Sequence, residues 1–213
     1  MLSIIIPCES ESSDLLSESI NSLSSISPEN YEIIIVKKTE ADTRAKRLNI
    51  GFYRSIGDLI LFHHPRSKLS LDGFKYLIEM SGSTSKNFQW GGFTHRFDMD
   101  HPILRFTSWY SNRIRAKIRG ILYLDHCIFF DRKLWVEDLP DMEIFEDTEL
   151  SIRFLEFSKP TILSYESITS SIRFKKNGIF YQSLLNQILK LAYFFKCNPR
   201  FMNRVYERGL NLN

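Results

Sequence analysis

The chain has 213 residues, 43% of them hydrophobic and 25% charged. That is the balance of an ordinary globular protein and excludes disordered, collagen-like and polytopic membrane classes. Its 28 basic and 25 acidic residues leave a net charge of +3, too small for a dedicated nucleic-acid binder, so no nucleic-acid partner is expected. Neither GxGxxG nor GxxxxGK(S/T) occurs among the 9 glycines, so the two commonest glycine-rich phosphate loops are absent.

Residues 2–6 are a short apolar, β-branched run that reads as a buried strand stopped by Pro7. The run is too short for an export signal and lacks a basic start. Ser13 and Asp14 precede apolar residues spaced three to four apart, the pattern of a capped amphipathic helix. Residues 31–36 predict a second buried strand, and a polar stretch over 37–43 follows. A helix is predicted over 45–55, ending near Gly57, then a strand over 58–63 and a helix over 70–80. Strands alternating with helices imply βαβ units and a parallel sheet. In such sheets ligands bind at the edge where the strands end. Residues 7–11, 37–43 and 64–68 fall on that edge.

The second part of the chain is less regular. A polar loop over 81–87 leads to a strand over 90–97, with a bulge expected at Gly91 and Gly92. Residues 104–120 predict a basic helix carrying Arg105, Arg113, Arg115, Lys117 and Arg119, with Phe106, Trp109 and Tyr110 among them. Such a helix either faces the core or makes a peripheral contact with an anionic membrane surface. Residues 123–130 are apolar apart from Asp125 and His126. Acids concentrate between Glu137 and Glu149, and a helix follows over 148–157. The apolar helix over 179–196 contains Gln182, Asn186, Gln187 and Lys190, so it is not a membrane span. It reads first as packed core, with a dimer face or an interfacial anchor as the alternatives. Cys8, Cys127 and Cys197 lie far apart without CxxC spacing, which predicts reduced thiols in a cytoplasmic protein. No repeat or linker divides the chain, so a single domain over 1–213 is expected.

The order of these features resembles the family 2 glycosyltransferases of the GT-A fold. The resemblance rests on strand-Pro7, strand-Val36, Arg44-Ala45 with Asn49 and Gly51, and residues 57–64. It continues in Gly92-Phe93 with Arg96-Phe97, Asn112-Arg113, residues 120–126, residues 145–151 and residues 169–178. These later segments look like a small bacterial subgroup of the family. The resemblance implies an α/β fold with a mixed, mostly parallel, Rossmann-like sheet flanked by helices. It assigns residues 1–80 to a nucleotide-binding half and 81–213 to an acceptor half. It also implies inverting transfer of a sugar from a nucleotide-sugar donor to an acceptor hydroxyl, with a carboxylate taking the acceptor's proton.

Carried onto this chain, the resemblance makes Asp147 or Glu146 the catalytic base. Pro7, Glu11, Lys37, Arg44, Asn49, His64 and Arg66 become donor-binding candidates. Asp125, His126 and Arg173 become acceptor or diphosphate contacts. From the sequence alone, Glu146 and Asp147 read equally as acids complementing a helix N-terminus, and Arg44 and Asn49 as a solvated helix face. His63 and His64 are neighbours on a strand end and point to opposite faces, so they do not make a joint metal site.

Three departures from the family pattern share the sheet edge. Ser10-Glu11 stands where Asn-Glu is usual. Lys37-Lys38-Thr39-Glu40 stands where an Asp-Gly-Gly turn would hold the nucleobase. His64-Pro65-Arg66 puts Arg66 where a carboxylate would hold Mg²⁺ or Mn²⁺. Arginine carries donors only and cannot ligate a cation, but its guanidinium pairs with phosphate. Three expectations follow. The first is a transferase with an ordinary or altered donor, for which Mg²⁺ or Mn²⁺ stays an option. The second is an impaired homologue that acts as a binding protein, and the third, weaker one is metal-free catalysis with Arg66.

Overall fold

The computed structural model describes residues 1–8, 14–82 and 89–208. β1 (Leu2–Cys8) is buried at every position, as a strand covered on both faces must be. Pro7 lies inside it. Pairing with the third strand ends at Ile5, so the missing N–H interrupts no ladder on that side. β2 (Tyr31–Lys37) buries only Val36 and is an edge strand, not the buried one its sequence suggests. Between them runs α1 (Asp14–Ser22).

α2 (Arg44–Arg54) starts at Thr43, whose side chain accepts from the Lys46 N–H, and stops at Ser55. Gly57 is not its cap. It passes so close to β1 that a Cβ would meet the Met1 carbonyl at 2.6 Å. β3 (Leu59–Phe62), β4 (Ser67–Leu69) and α3 (Leu71–Gly82) follow.

β5 (Trp90–Phe97) has its register shift between Phe93 and Thr94, beyond the glycines where it was expected. Gly91 answers a different need: a Cβ there would sit 2.0 Å from the Thr161 carbonyl oxygen. α4 (Pro102–Tyr110) does not continue as one regular helix. It widens into a π-helical segment, Ser111–Ile118, that ends at Gly120 with φ +71°. β6 (Ile128–Asp131), α5 (Glu146–Leu155), β7 (Thr161–Thr169), α6 (Ile172–Asn177), α7 (Ile179–Phe194) and α8 (Pro199–Arg208) complete the described chain.

The seven strands form one sheet in the order β2-β1-β3-β6-β5-β7-β4. β6 and β4 run against the other five. The sheet is therefore mixed, mostly parallel and flanked by helices. Strands from the first 80 residues form both of its edges, so the presumed nucleotide and acceptor halves interleave. Alternate residues of β1 face opposite cores. Ile5 packs with Leu48, Phe62, Trp90 and Phe154, while Ile4 and Ile6 pack with Leu16, Phe74, Leu77 and Phe93.

A third, smaller cluster joins Ile144 and Phe145 to Leu185, Leu189, Met202 and Val205 of α7 and α8. α7 is not the core helix its composition suggests. It buries only Gln182, Leu185 and Leu189 and leaves Phe180 77% and Phe194 76% exposed. Among the described residues no helix is long and apolar enough to cross a membrane.

Candidate functional site

The strand ends open onto a cavity of about 500 Å³. Pro7 and Cys8 from β1, and His64, Pro65 and Arg66 after β3, form one wall. Arg44 of α2 and Asp147 of α5 form another, and Arg173 of α6 closes a third side. A larger open groove of about 650 Å³ lies beside α2. Its charged residues already pair with each other, Lys46 with Asp42 and Asp141, and Tyr53 with Asp138. The cavity at the strand ends gathers more of the candidate residues and is the candidate site.

Glu146 and Asp147 occupy the first turn of α5, not the loop before it. The turn begins at Phe145, a non-glycine residue in the left-handed region with φ 67° and ψ 16°. Its ring is anchored against Tyr193 and Tyr123. Such strained backbone persists only where its surroundings enforce it. Glu146 is fully buried, and Arg44 Nε donates to its Oε1. The second oxygen, Oε2, is buried without a partner among the described residues. Arg44 Nη2 lies 3.7 Å from Asp147 Oδ2, which also accepts from the Leu124 N–H at 2.9 Å. Burial, reinforced by the Glu146 charge, pushes the Asp147 carboxyl up to about 7. Arg44 and the Leu124 N–H oppose that rise without cancelling it.

Across the cavity, the Arg66 N–H donates to His64 Nδ1 at 3.1 Å. The proton of His64 therefore sits on Nε2, 3.5 Å from Asp125 Oδ1. Burial pushes His64 well below its ordinary value, so it stays neutral. Burial also disfavours the Asp125 charge, but His64, Arg66 and Arg115 outweigh it and hold that carboxyl low. Arg66 makes no ion pair among the described residues and lines the cavity. His63 turns the other way, donating to the His64 carbonyl and facing Ser19.

The cavity thus gathers Pro7, Arg44, His64, Arg66, Asp125, Asp147 and Arg173, with Glu146 behind Arg44. The other candidates stand elsewhere. His126 is fully buried beneath the wall, donating to the Phe93 carbonyl and paired with Ser111. Asn49 is occupied outside the cavity, exchanging hydrogen bonds at 3.0 Å with the backbone of Leu139. Lys37 lies exposed on the β2 turn, where its N–H donates to Glu40. Glu11 lies outside the described residues.

Two wall residues were not site candidates in the sequence. Arg115, from the π-helical segment, stacks its guanidinium 3.5 Å over the Tyr123 ring and donates to Ser111. Lys190 of α7 is pushed down to about 8 by burial and then by the Arg115 charge. They are 75 positions apart in sequence, and only the fold brings them together.

The described residues at the strand ends do not form a set of ligands for a divalent cation. Among the described residues no three His, Cys, Asp or Glu side chains cluster as ligands. At the end of β3, Arg66 offers donors only, and His64 spends its free nitrogen on a backbone N–H.

Solved structures share this architecture. S. aureus TarS residues 1–349 matches with a TM-score of 0.59 at 12% identity, covering 99% of this chain and 70% of that one. The fold is that of the GT-A glycosyltransferases. The same TarS segment in complex with UDP gives 0.56 at 14% identity, over 79% of this chain and 60% of that one. Glucosyl-3-phosphoglycerate synthase from Mycobacterium tuberculosis, with Mn²⁺ and UDP-glucose, gives 0.54 at 13%, over 79% and 69%. The chain spans only 39% of the longer TarS structure it matches. No family model matches the chain, and no curated protein does so either.

Proposed function

We propose that the protein is a glycosyltransferase that moves a sugar from a nucleotide-sugar donor to an acceptor hydroxyl with inversion. One observation carries the reading. Asp147, a carboxylate raised to about 7, opens on the same strand-end cavity as Arg66. A base poised near neutral pH is suited to take a hydroxyl proton in the transition state. In the proposed step the acceptor O–H proton passes to Asp147 as the acceptor oxygen bonds to the anomeric carbon. The bond from that carbon to the diphosphate oxygen breaks, and the nucleoside diphosphate leaves with the electron pair. Arg66 compensates the departing charge in place of a metal.

UDP-sugars are the first donors to test, because TarS and the mycobacterial synthase hold UDP or UDP-sugars in this fold. A UDP-sugar at saturating concentration is expected to raise the melting temperature by about 2–5 °C, equally in EDTA and in Mn²⁺. No shift across a broad nucleotide-sugar panel would sink the reading. A shift that needs Mn²⁺ would overturn the role given to Arg66. A second reading, a binding protein without turnover, draws on the Arg44 clamp that already contacts both carboxylates. Ligand binding without product formation under any donor and acceptor pairing would select it.

A further inference from the structure

We propose that the outer face of α7 and α8 docks on an anionic lipid bilayer. Phe180, Leu184, Ile188, Leu191, Phe194 and Phe195 recur at helical spacing along one side of α7. All are exposed, from 37% at Ile188 to 77% at Phe180. The inner side is already engaged: Leu185 and Leu189 pack on Phe145 and Met202, and Gln182 and Lys190 line the cavity. α8 repeats the arrangement, with Met202 and Val205 buried and Phe201 half exposed between Arg200 and Arg204. An apolar stripe of this length on a soluble fold marks an interaction surface.

Charge selects the occupant. Between residues 172 and 206 there are seven basic residues and no Asp or Glu. The chain has 28 basic and 25 acidic residues in all, so outside this segment 21 basic residues face 25 acidic ones. Of the seven, Arg173 and Lys190 face the cavity, and Lys175, Lys176, Lys196, Arg200 and Arg204 are exposed on the elements that carry or flank the apolar stripe. A second copy of this face would bring like charges together, whereas an anionic headgroup layer neutralises them while the side chains enter the acyl boundary. α7 has 16 residues, roughly 24 Å of helix, which suits lying in the interface and not crossing it. Docking does not depend on sugar transfer.

Flotation of the full chain with phosphatidylcholine vesicles, with and without about one-third phosphatidylglycerol, tests this. Partition onto the anionic vesicles is expected to exceed that onto neutral ones by at least ~10-fold and to fall in about 0.5 M salt. The triple substitution Leu184→Ser, Leu191→Ser and Phe194→Ser should lower it about 100-fold. Lys196→Glu with Arg200→Glu and Arg204→Glu should remove the preference for anionic lipid. These positions are exposed, so circular dichroism should match the wild type. A readout without those substitutions is an environment-sensitive dye on the exposed Cys197 at the end of α7, expected to shift to the blue only with anionic vesicles. Absence of partition or of the dye shift overturns the proposal. So does partition unchanged in the serine variant, or a stable dimer in solution that the serine variant dissociates.

Discussion

Asp147 is expensive to keep where it is. Its carboxyl is raised to about 7, with burial as the first cause, so the folded chain holds that proton more tightly than the unfolded chain does. Below an unfolded value of about 4 both states are protonated and the site is neutral to stability. As pH rises from there, the unfolded state ionises first, and the cost of the buried charge is complete above about 7. Asp147→Asn should therefore stabilise the protein by about 1–3 kcal/mol at pH 8 and by nothing near pH 4. The amide oxygen still accepts from the Leu124 N–H. Urea unfolding at the two pH values checks this, and a loss of stability at pH 8 would contradict the environment described. In the proposed reaction the same substitution removes turnover at every pH, so the residue that weakens the fold is the one that does the chemistry.

At the scale of elements, close backbone approach decides where substitutions are tolerated. Gly91 lets β5 and β7 lie together, and its missing Cβ would overlap the Thr161 carbonyl at 2.0 Å. Gly91→Ala should cost about 1–3 kcal/mol, read as a lower urea midpoint with an unchanged slope. How far the elements were legible follows from similar detail. β1 and β3 announced themselves as continuous apolar runs, because both of their faces are covered. β7 did not, because Ser167 and Thr169 fill buried positions where an apolar residue would mark the strand. β4 has three residues, too few for any period. The π-helical widening after α4 has no signature in a 3.6-residue pattern. α7 misled because an apolar stripe looks the same in sequence whether it meets a core or waits for a partner. The site was legible in part. Arg44, Arg66 and Asp147 emerged through family resemblance. Arg115 and Lys190 did not, since nothing in their local sequence says that the π-helical segment and α7 border one cavity.

For the molecule as a whole, strand order overrides chain order. β3 pairs with β6, and β4 pairs only with β7, Ser67 meeting Thr169. A fragment ending at residue 80 would carry β3 with one open edge and β4 with no neighbour. It is expected to show no cooperative thermal transition, as followed by calorimetry, while the full chain shows one. The same sheet order has a consequence for synthesis. On the ribosome, β1, β2 and β3 can associate soon after they emerge, but β4 must wait about a hundred residues for its partner. The edge of β3 stands open until β6 leaves the exit tunnel, and β4 stands open until β7 does, so the nascent chain is most exposed to mispairing and to chaperones in that interval. The pause ends when β7 arrives, and the same segment brings Thr169 and Ser170 into the wall of the cavity. The site is completed later still, when Arg173 of α6 and Lys190 of α7 follow β7 out of the tunnel.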